Sequence, residues 1–425
     1  VPPAPTPAAN WAGNHTYRAR TVHAPTTLDQ VREIVAAAPH IRVLGSRHSF
    51  TDIADSPELV SLDGLPPDVV VDRDAMTVTC PGAMRYGELA VKLEDAGLGL
   101  ANLASLPHIA VAGAIATATH GSGDRNRNLA GAVAALELVT SDGDVVTAAR
   151  GDPDFDGLVV ALGAAGAVTR VTLDVEPAYE IRQRVFEGLR WEDLFEHFDA
   201  ITSTGYSVSV FTRWGETTDQ VWVKTRAGEE PSDELAPGGA EALARAVPAT
   251  EERHPILGLD PVNCTPQLGV AGTWSERLPH FRMGFTPSSG DEIQSEFHVP
   301  RRHAVAAIDA VRGIASAVVP VILVSEIRTV AADSLWMSPQ YRQDTVAIHF
   351  TWGPDAAAVR RALIEVERVL APFQARPHWG KLFLAGEGEI APLYERLGDF
   401  RVLLDRLDPR GAFRNDWLTR HVLGG

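Results

Sequence analysis

At 425 residues the chain is longer than one ordinary core accommodates, so two domains are expected. Its 45% hydrophobic and 22% charged content is that of a soluble globular protein, and no apolar run approaches the eighteen residues of a membrane span. A net charge of -17 argues against nucleic acid and anionic membrane surfaces as partners without naming one.

The opening VPPAPTPAAN reads as a leader or a maturation remnant, without the basic-then-apolar pattern of a secretion signal. Over residues 26–38, Thr27 with Gln30 fits a capping box, and Leu28, Val31, Ile34 and Val35 form a helical stripe that Pro39 stops. A short strand at 41–44 runs into GSRHSF, residues 45–50. Strands follow at 69–71 and 76–79, then a helix over 86–96 ended by Gly97. From Ala112 to Gly123 the chain reads AGAIATATHGSG, in which seven of twelve residues are Gly or Ala. Such a run makes a poor core helix and a poor strand. Two readings stand: a backbone that lies against a flat anionic cofactor, with N–H groups and hydroxyls cradling phosphate, or a packing seam of small residues. Strands at 133–139 and 145–148 flank the hairpin signal SDGD. A helix over 153–162 has Asp152 as its cap and Pro153 at its first position, and 168–175 is a strand.

Beyond Pro177 the composition changes. Strands are expected at 207–211 and 220–224, followed by an irregular Pro/Gly/Glu-rich excursion over 226–260. Strands near 293–299, 321–329 and 345–352 alternate with helices over 302–317 and 355–370, the latter carrying Val359, Leu363, Val366 and Leu370 on one face. This order predicts an α+β protein with a large mixed or antiparallel sheet and helices on one side. The tail LDPRGAFRNDWL forms no domain of its own and is expected to pack on an earlier one. Cys80 and Cys264 are expected to be reduced and buried. Neither zinc spacing, HExxH nor a P-loop occurs, so no metal site is expected. There is no GxGxxG between a strand and a helix, and a Rossmann site has no support.

Several polar residues stand out. His48 lies in a Gly/Ser turn directly after a strand, either as a hydrogen-bonded structural histidine or facing a ligand. In the strand SEIRT, alternation puts Glu326 and Arg328 on one face, as an ion pair closing a sheet edge or as part of a partly buried site. His349 and Thr351 likewise share a face, and Lys381 follows in the loop PHWGK. Glu326, Arg328, His349, Thr351 and Lys381 together suit a small polar substrate. With no activated Ser or Cys among them, they favour binding and oxidation of a polyol over hydrolysis.

GSRHSF, ASLPHIAVAGAIATATHGSG, SEIRTV, HFTW, RPHWGK and the early NWAGN resemble the flavin-linked sugar-alcohol oxidases (alditol, xylitol and sorbitol oxidases) of the vanillyl-alcohol oxidase superfamily, which also includes the aldonolactone oxidases. The likeness runs from about Asn10 to the end and is weakest over 226–260. It implies a two-domain flavoprotein oxidase fold: an FAD-binding domain at 1–178, a cap domain for substrate at 179–400, and a tail at 401–425 returning to the FAD domain. It implies FAD joined covalently to His48. Gly45, Ser46, Arg47, Ser49, Ser105, Gly113, Thr117, His120, Gly121, Ser122 and Gly123 would follow the cofactor, with Gly163, Gly166 and Val168 on its adenosine side. Ser105, Glu326, Arg328, His349, Thr351 and Lys381 would line the substrate pocket, with Lys381, Arg328 and Glu326 catalytic. Arg47 stands where the lactone branch more often has Gly, and either reaches an anion or points to solvent. The implied reaction turns the terminal alcohol of an alditol (xylitol, sorbitol, glycerol) into an aldose, with hydride to flavin N5 and dioxygen reduced to hydrogen peroxide. Lactone oxidation on the same fold is the alternative, and a non-catalytic flavin- or carbohydrate-binding protein a remote one. A cytoplasmic monomer completes the expectation.

Overall fold

The structure is a computed structural model and describes residues 9–228, 238–284 and 292–424. Its largest element is a nine-stranded sheet in which every pairing is antiparallel. From one edge the strands run Val247–Pro248, Glu180–Glu187, Gln220–Arg226, Ser207–Thr212, Ile322–Val330, Thr345–Trp352, Ile293–Pro300 and Arg376–Pro377, with Gly272–Thr273 also pairing on Glu180–Glu187. Thr345–Trp352 is buried at all eight positions because it lies between two strands and is covered on both faces.

Alternation gives the sheet two different faces. One carries Ile327, Ile348 and Phe297, which join a core with Ile308 and Val311 of the helix Ala304–Gly313 and with Val359, Leu363 and Val366 of Ala356–Leu370. The second helix starts where expected, with the Asp355 carboxylate accepting from the amides of Ala357 and Ala358 at 3.1 and 3.0 Å. The opposite face is the polar one described below.

The N-terminal part holds two smaller sheets. A five-stranded antiparallel sheet runs Val70–Asp72, Thr77–Pro81, Ala167–Asp174, Val133–Val139, Val145–Ala149, its last two strands joined by the SDGD turn with Gly143 at φ 81°. A three-stranded parallel sheet runs Thr21–His23, Glu58–Ser61, Ile41–Leu44. Helix Leu28–Ala37 packs beside it, and Thr27 caps it by accepting from Gln30. The C-terminal tail returns to this region. The Ile41 amide donates to Ala412, Phe413 joins the core of Val31 and Ile41, and Asn415 donates to the carbonyls of Ile53 and Asp55. Arg42, wholly buried, donates to the carbonyls of Leu162, Gly163, Ile53 and Phe413, tying three parts of the chain together.

Three local expectations are corrected. The first part of the small-residue run is helical after all, within Val111–Ala116, because Val111, Ala114 and Ile115 reach the core while Gly113 leaves the other side open; from Thr117 to Gly123 the run leaves the helix. The helix over 302–317 divides into Ala304–Gly313 and Ala315–Val318, breaking at the glycine, the residue that gains least from staying helical. The helix expected over 153–162 shrinks to Phe155–Val159, since the Asp152 carboxylate binds the Ala149 amide at 2.7 Å instead of capping, and Leu162 turns left-handed at φ 55°. The strands Thr21–His23 and Glu58–Ser61 had no alternation long enough to read. Residues 1–8 of the leader and 229–237 of the irregular excursion lie outside the described residues. Cys80 and Cys264 are free and buried, and among the described residues no helix is long and apolar enough to cross a membrane.

Candidate active site

Strand register builds the site. Glu326 pairs with His349, and His349 with Glu296, so three side chains stand in one row across adjacent strands. Neighbouring rows on the same face are Val324, Thr351, Gln294 and Arg328, Ala347, His298. The alternation that puts Glu326 with Arg328 and His349 with Thr351 therefore works within a two-dimensional array.

Glu296 is the centre of that array, with no exposed side-chain surface. One carboxylate oxygen accepts from Arg328 at 2.6 Å and lies 3.1 Å from His120 Nε2. The other accepts from Lys381. Burial works against its ionised form, but Lys381, Arg328 and His120 together hold its pKa well below the ordinary value. Glu326 behaves alike: burial opposes its charge, yet Arg328 and the N–H of His280 at 2.8 Å keep it strongly ionised. Two buried carboxylates thus face two buried cations, and the cluster is neutral by pairing. Burial lowers the pKa of Lys381 while Glu296 pulls it back up. Because an ammonium only donates, His349 Nδ1, 2.8 Å from Lys381 Nζ, must be an acceptor, and His349 Nε2–H donates to Thr351 Oγ1 at 3.0 Å. Burial, then Lys381, brings the His349 pKa down to about 4.

The cluster forms one end of a cavity of about 400 Å³ whose other walls come from the N-terminal part. Ser105 lies 3.4 Å from Arg328 at the junction. Further along stand Gly45 to Phe50, Gly113, Thr117 and Gly163. Trp11 stacks on His48 with ring centroids 4.9 Å apart, and its amide holds the Arg47 carbonyl. His48 Nδ1 lies 3.1 Å from the Ser46 carbonyl, while Nε2 is buried without a partner. Burial brings its pKa down to about 4, so the ring is neutral at pH 7.

These walls fit FAD. Gly113 has nothing within 4 Å of a built Cβ, and the surrounding Leu44, Ile53, Ile109 and Leu162 are apolar, as a flat ring system requires. Among the described residues the amides of Arg47, His48 and Ser49 meet no acceptor. Arg47 sits at φ 63°, so these amides form a turn of the kind that holds anions. That left-handed φ also accounts for glycine being the easier residue here. The Arg47 side chain itself is exposed at the cavity wall.

The structure brings Gly45, Ser46, Arg47, His48, Ser49, Ser105, Gly113, Thr117, His120 and Gly163 to this cavity together with Glu326, Arg328, His349, Thr351 and Lys381. Gly121, Ser122, Gly123, Gly166 and Val168 do not line it. A Cβ on Gly121 would stand 2.3 Å from the Leu103 carbonyl, and one on Gly166 2.5 Å from that of Val139, so both glycines permit backbone packing. Ser122 donates to Val208 and the Gly123 amide to Thr329 at 2.9 Å, fastening this turn to the large sheet. Val168 lies in the strand Ala167–Asp174, where its carbonyl faces Gly82.

Sequence reasoning missed Glu296, His280, His298 and His378. Glu296 and His298 alternate in QSEFHVP as Glu326 and Arg328 do in SEIRT, and that signal was available. His280 and His378 sit in loops and gave none. His120, Glu296 and His378 bring ligand-type atoms within 4.8 Å of one another, the spacing of a metal site. Both Glu296 oxygens are already taken by cations, however, so this donor set does not suit a further positive charge.

Residues 19–149 match the FAD binding domain family, and residues 290–421 match the D-arabinono-1,4-lactone oxidase family. The chain is 47% identical to an alditol oxidase of Streptomyces sp., over 99% of this chain and 100% of that one. It is 29% identical to the L-gulono-1,4-lactone dehydrogenase of Mycobacterium tuberculosis, over 98% and 99%. Among solved structures, cholesterol oxidase from B. sterolicum superposes with a TM-score of 0.78 at 16% identity, over 99% of this chain and 100% of that chain, a likeness of fold.

Proposed function

The chain belongs to the alditol oxidase family, within the vanillyl-alcohol oxidase superfamily of flavoproteins, and on that premise we propose that it oxidises a terminal primary alcohol of an alditol to the aldose. The observation that carries this reading is the row Glu326, His349, Glu296 with Arg328, Thr351, Ser105 and Lys381 around it: a closely spaced set of donors and acceptors suited to successive hydroxyls.

FAD would be held by the turn 45–49, by Gly113 and Thr117, and by a covalent bond to His48. When bound, it supplies the hydride acceptor and hands the electrons to dioxygen, giving hydrogen peroxide. The protein's part is orientation and charge. Lys381 spends one N–H on Glu296 and one on His349, leaving a third for the reacting hydroxyl. Arg328 adds a second cation, so negative charge developing on that oxygen is met at both sides. Glu326, Thr351 and Ser105 bind the remaining hydroxyls and fix which carbon is presented. Burial of the whole array keeps water out and strengthens each of these contacts. Cytoplasmic action on free polyols fits this reading.

Lactone oxidation is the second reading, favoured by the match of residues 290–421. The test is hydrogen peroxide yield from purified protein on xylitol, sorbitol, glycerol and L-gulono-1,4-lactone. Five- and six-carbon alditols are expected to outperform glycerol, mainly through KM, since each missing neutral hydroxyl contact costs about 0.5–1.5 kcal/mol. Turnover on the lactone with none on alditols would replace the proposal by its alternative.

A further inference from the structure

The strand Gln220–Arg226 places Lys224 on the same face of the large sheet as the catalytic array, two strands away from Glu326. Its side chain is almost wholly buried, at 1% exposure, and does not line the cavity. A lysine in that position needs an explanation, since an unpaired buried ammonium is costly. Among the described residues no carboxylate touches it. Its ammonium instead donates to the Leu278 carbonyl, to that of Pro279 at 3.4 Å and to His280 Nδ1 at 3.2 Å. The turn so gripped carries two further connections. His280 Nε2 meets Glu326 at 2.8 Å, and the amides of His280 and Phe281 donate to the Ser105 carbonyl at 3.2 and 3.3 Å.

We propose that Lys224 is a positioning residue for substrate recognition: by holding the turn 278–281 it makes His280 present an N–H to Glu326 and makes two amides anchor Ser105. The logic is that of tautomer control. Below about pH 7, where Lys224 is an ammonium and can only donate, His280 Nδ1 is obliged to accept, and the ring's single proton must sit on Nε2, facing the carboxylate. Without Lys224 the other tautomer would set a lone pair against Glu326. One lysine thereby governs two substrate contacts contributed by different parts of the chain. The groups facing His280 are Lys224, Glu326 and Arg328, with the rings of Phe211 and Trp222 closing the sides. Burial, then the Lys224 charge, holds the His280 pKa down to about 4, and burial holds that of Lys224 down to about 7.

This inference rests on the alditol reading for its kinetic arm only. Lys224→Met should lower kcat/KM on xylitol by about 10- to 100-fold, mostly through KM, as one buried polar contact is left unmade. Loss of the Lys224 charge lets His280 take a proton more readily, so the acidic limb of kcat/KM should move to higher pH. A merely structural lysine would lower kcat/KM equally at every pH, and that outcome overturns the proposal. The second arm uses the wild-type holoenzyme labelled with 15N-histidine, with the His280 signal assigned by its loss in His280→Gln. The ring must carry its proton on Nε2, and finding it on Nδ1 overturns the proposal whether or not Lys224→Met folds. A wild-type enzyme inert on alditols with His280 in the expected tautomer would retire the substrate reading and leave the positioning role standing.

Discussion

Glu296→Gln tests the central claim about the active site. The substitution keeps shape and one acceptor oxygen but removes the charge that pairs with Arg328 and Lys381. Removing one partner of a buried pair costs about 3–5 kcal/mol, and the retained amide oxygen places this case near about 3 kcal/mol. Unfolding entropy is roughly 2.1 cal/mol/K per residue, about 0.9 kcal/mol/K for 425 residues. The expected fall in Tm is therefore about 3 °C, read by scanning calorimetry. Kinetics should change more. An interaction of about 3 kcal/mol lost from the reacting end is about two decades in kcat/KM on xylitol. The pH profile carries the sharpest sign. Burial lowers the Lys381 pKa and Glu296 raises it, so losing the carboxylate must lower it further. If the ammonium is the working form, the alkaline limb of kcat/KM moves toward acid. A variant with wild-type Tm and an unmoved alkaline limb would show that Glu296 does not organise these cations.

Four other outcomes are expected. His48→Ala should release FAD into the supernatant on acid precipitation, whereas the wild type keeps its colour in the pellet; free flavin from the wild type would refute covalent attachment. Lys381→Met should slow anaerobic flavin reduction on every alditol regardless of length, as followed by stopped flow, and a near wild-type rate would remove this lysine from the chemistry. Ile327, on the helix-covered face, should behave otherwise: Ile327→Val costs about 1 kcal/mol of stability and leaves kinetics alone. Stability should fall as pH drops from about 6.5 to about 4. His280 and His349 have folded pKa values near 4 against 6.5 when unfolded, so the unfolded chain binds more protons across that window. Glu296 and Glu326, depressed below 4.5, act in the same direction at lower pH. A Tm that stays flat from pH 7 to 4 would contradict the neutral burial of these histidines.

By itself the sequence determined what depends on near neighbours along the chain. Helix Ala356–Leu370 has its cap and stripe within sixteen residues, and Thr345–Trp352 has its alternation within eight, so both were legible to within a residue. The same local rule put Glu326 with Arg328 and His349 with Thr351. GSRHSF and the Gly/Ala run marked the cavity's other wall as motifs. Tertiary structure decided what depends on which strands become neighbours. Ile293–Pro300 pairs with Thr345–Trp352 while the intervening Ile322–Val330 takes its other side, and nothing in local periodicity fixes that order. Because of it Glu296, whose own strand shows only its alternation with His298, becomes the acceptor for two cations. The same dependence hid Lys224 and His280, separated by 56 positions and joined only when a loop folds over the sheet. It also turned Gly121 and Gly166 toward packing, since only the folded backbone shows which carbonyl a Cβ would meet. Secondary structure follows from short-range sterics and hydrophobic period, whereas a buried charge array exists only once long-range pairing has enclosed it.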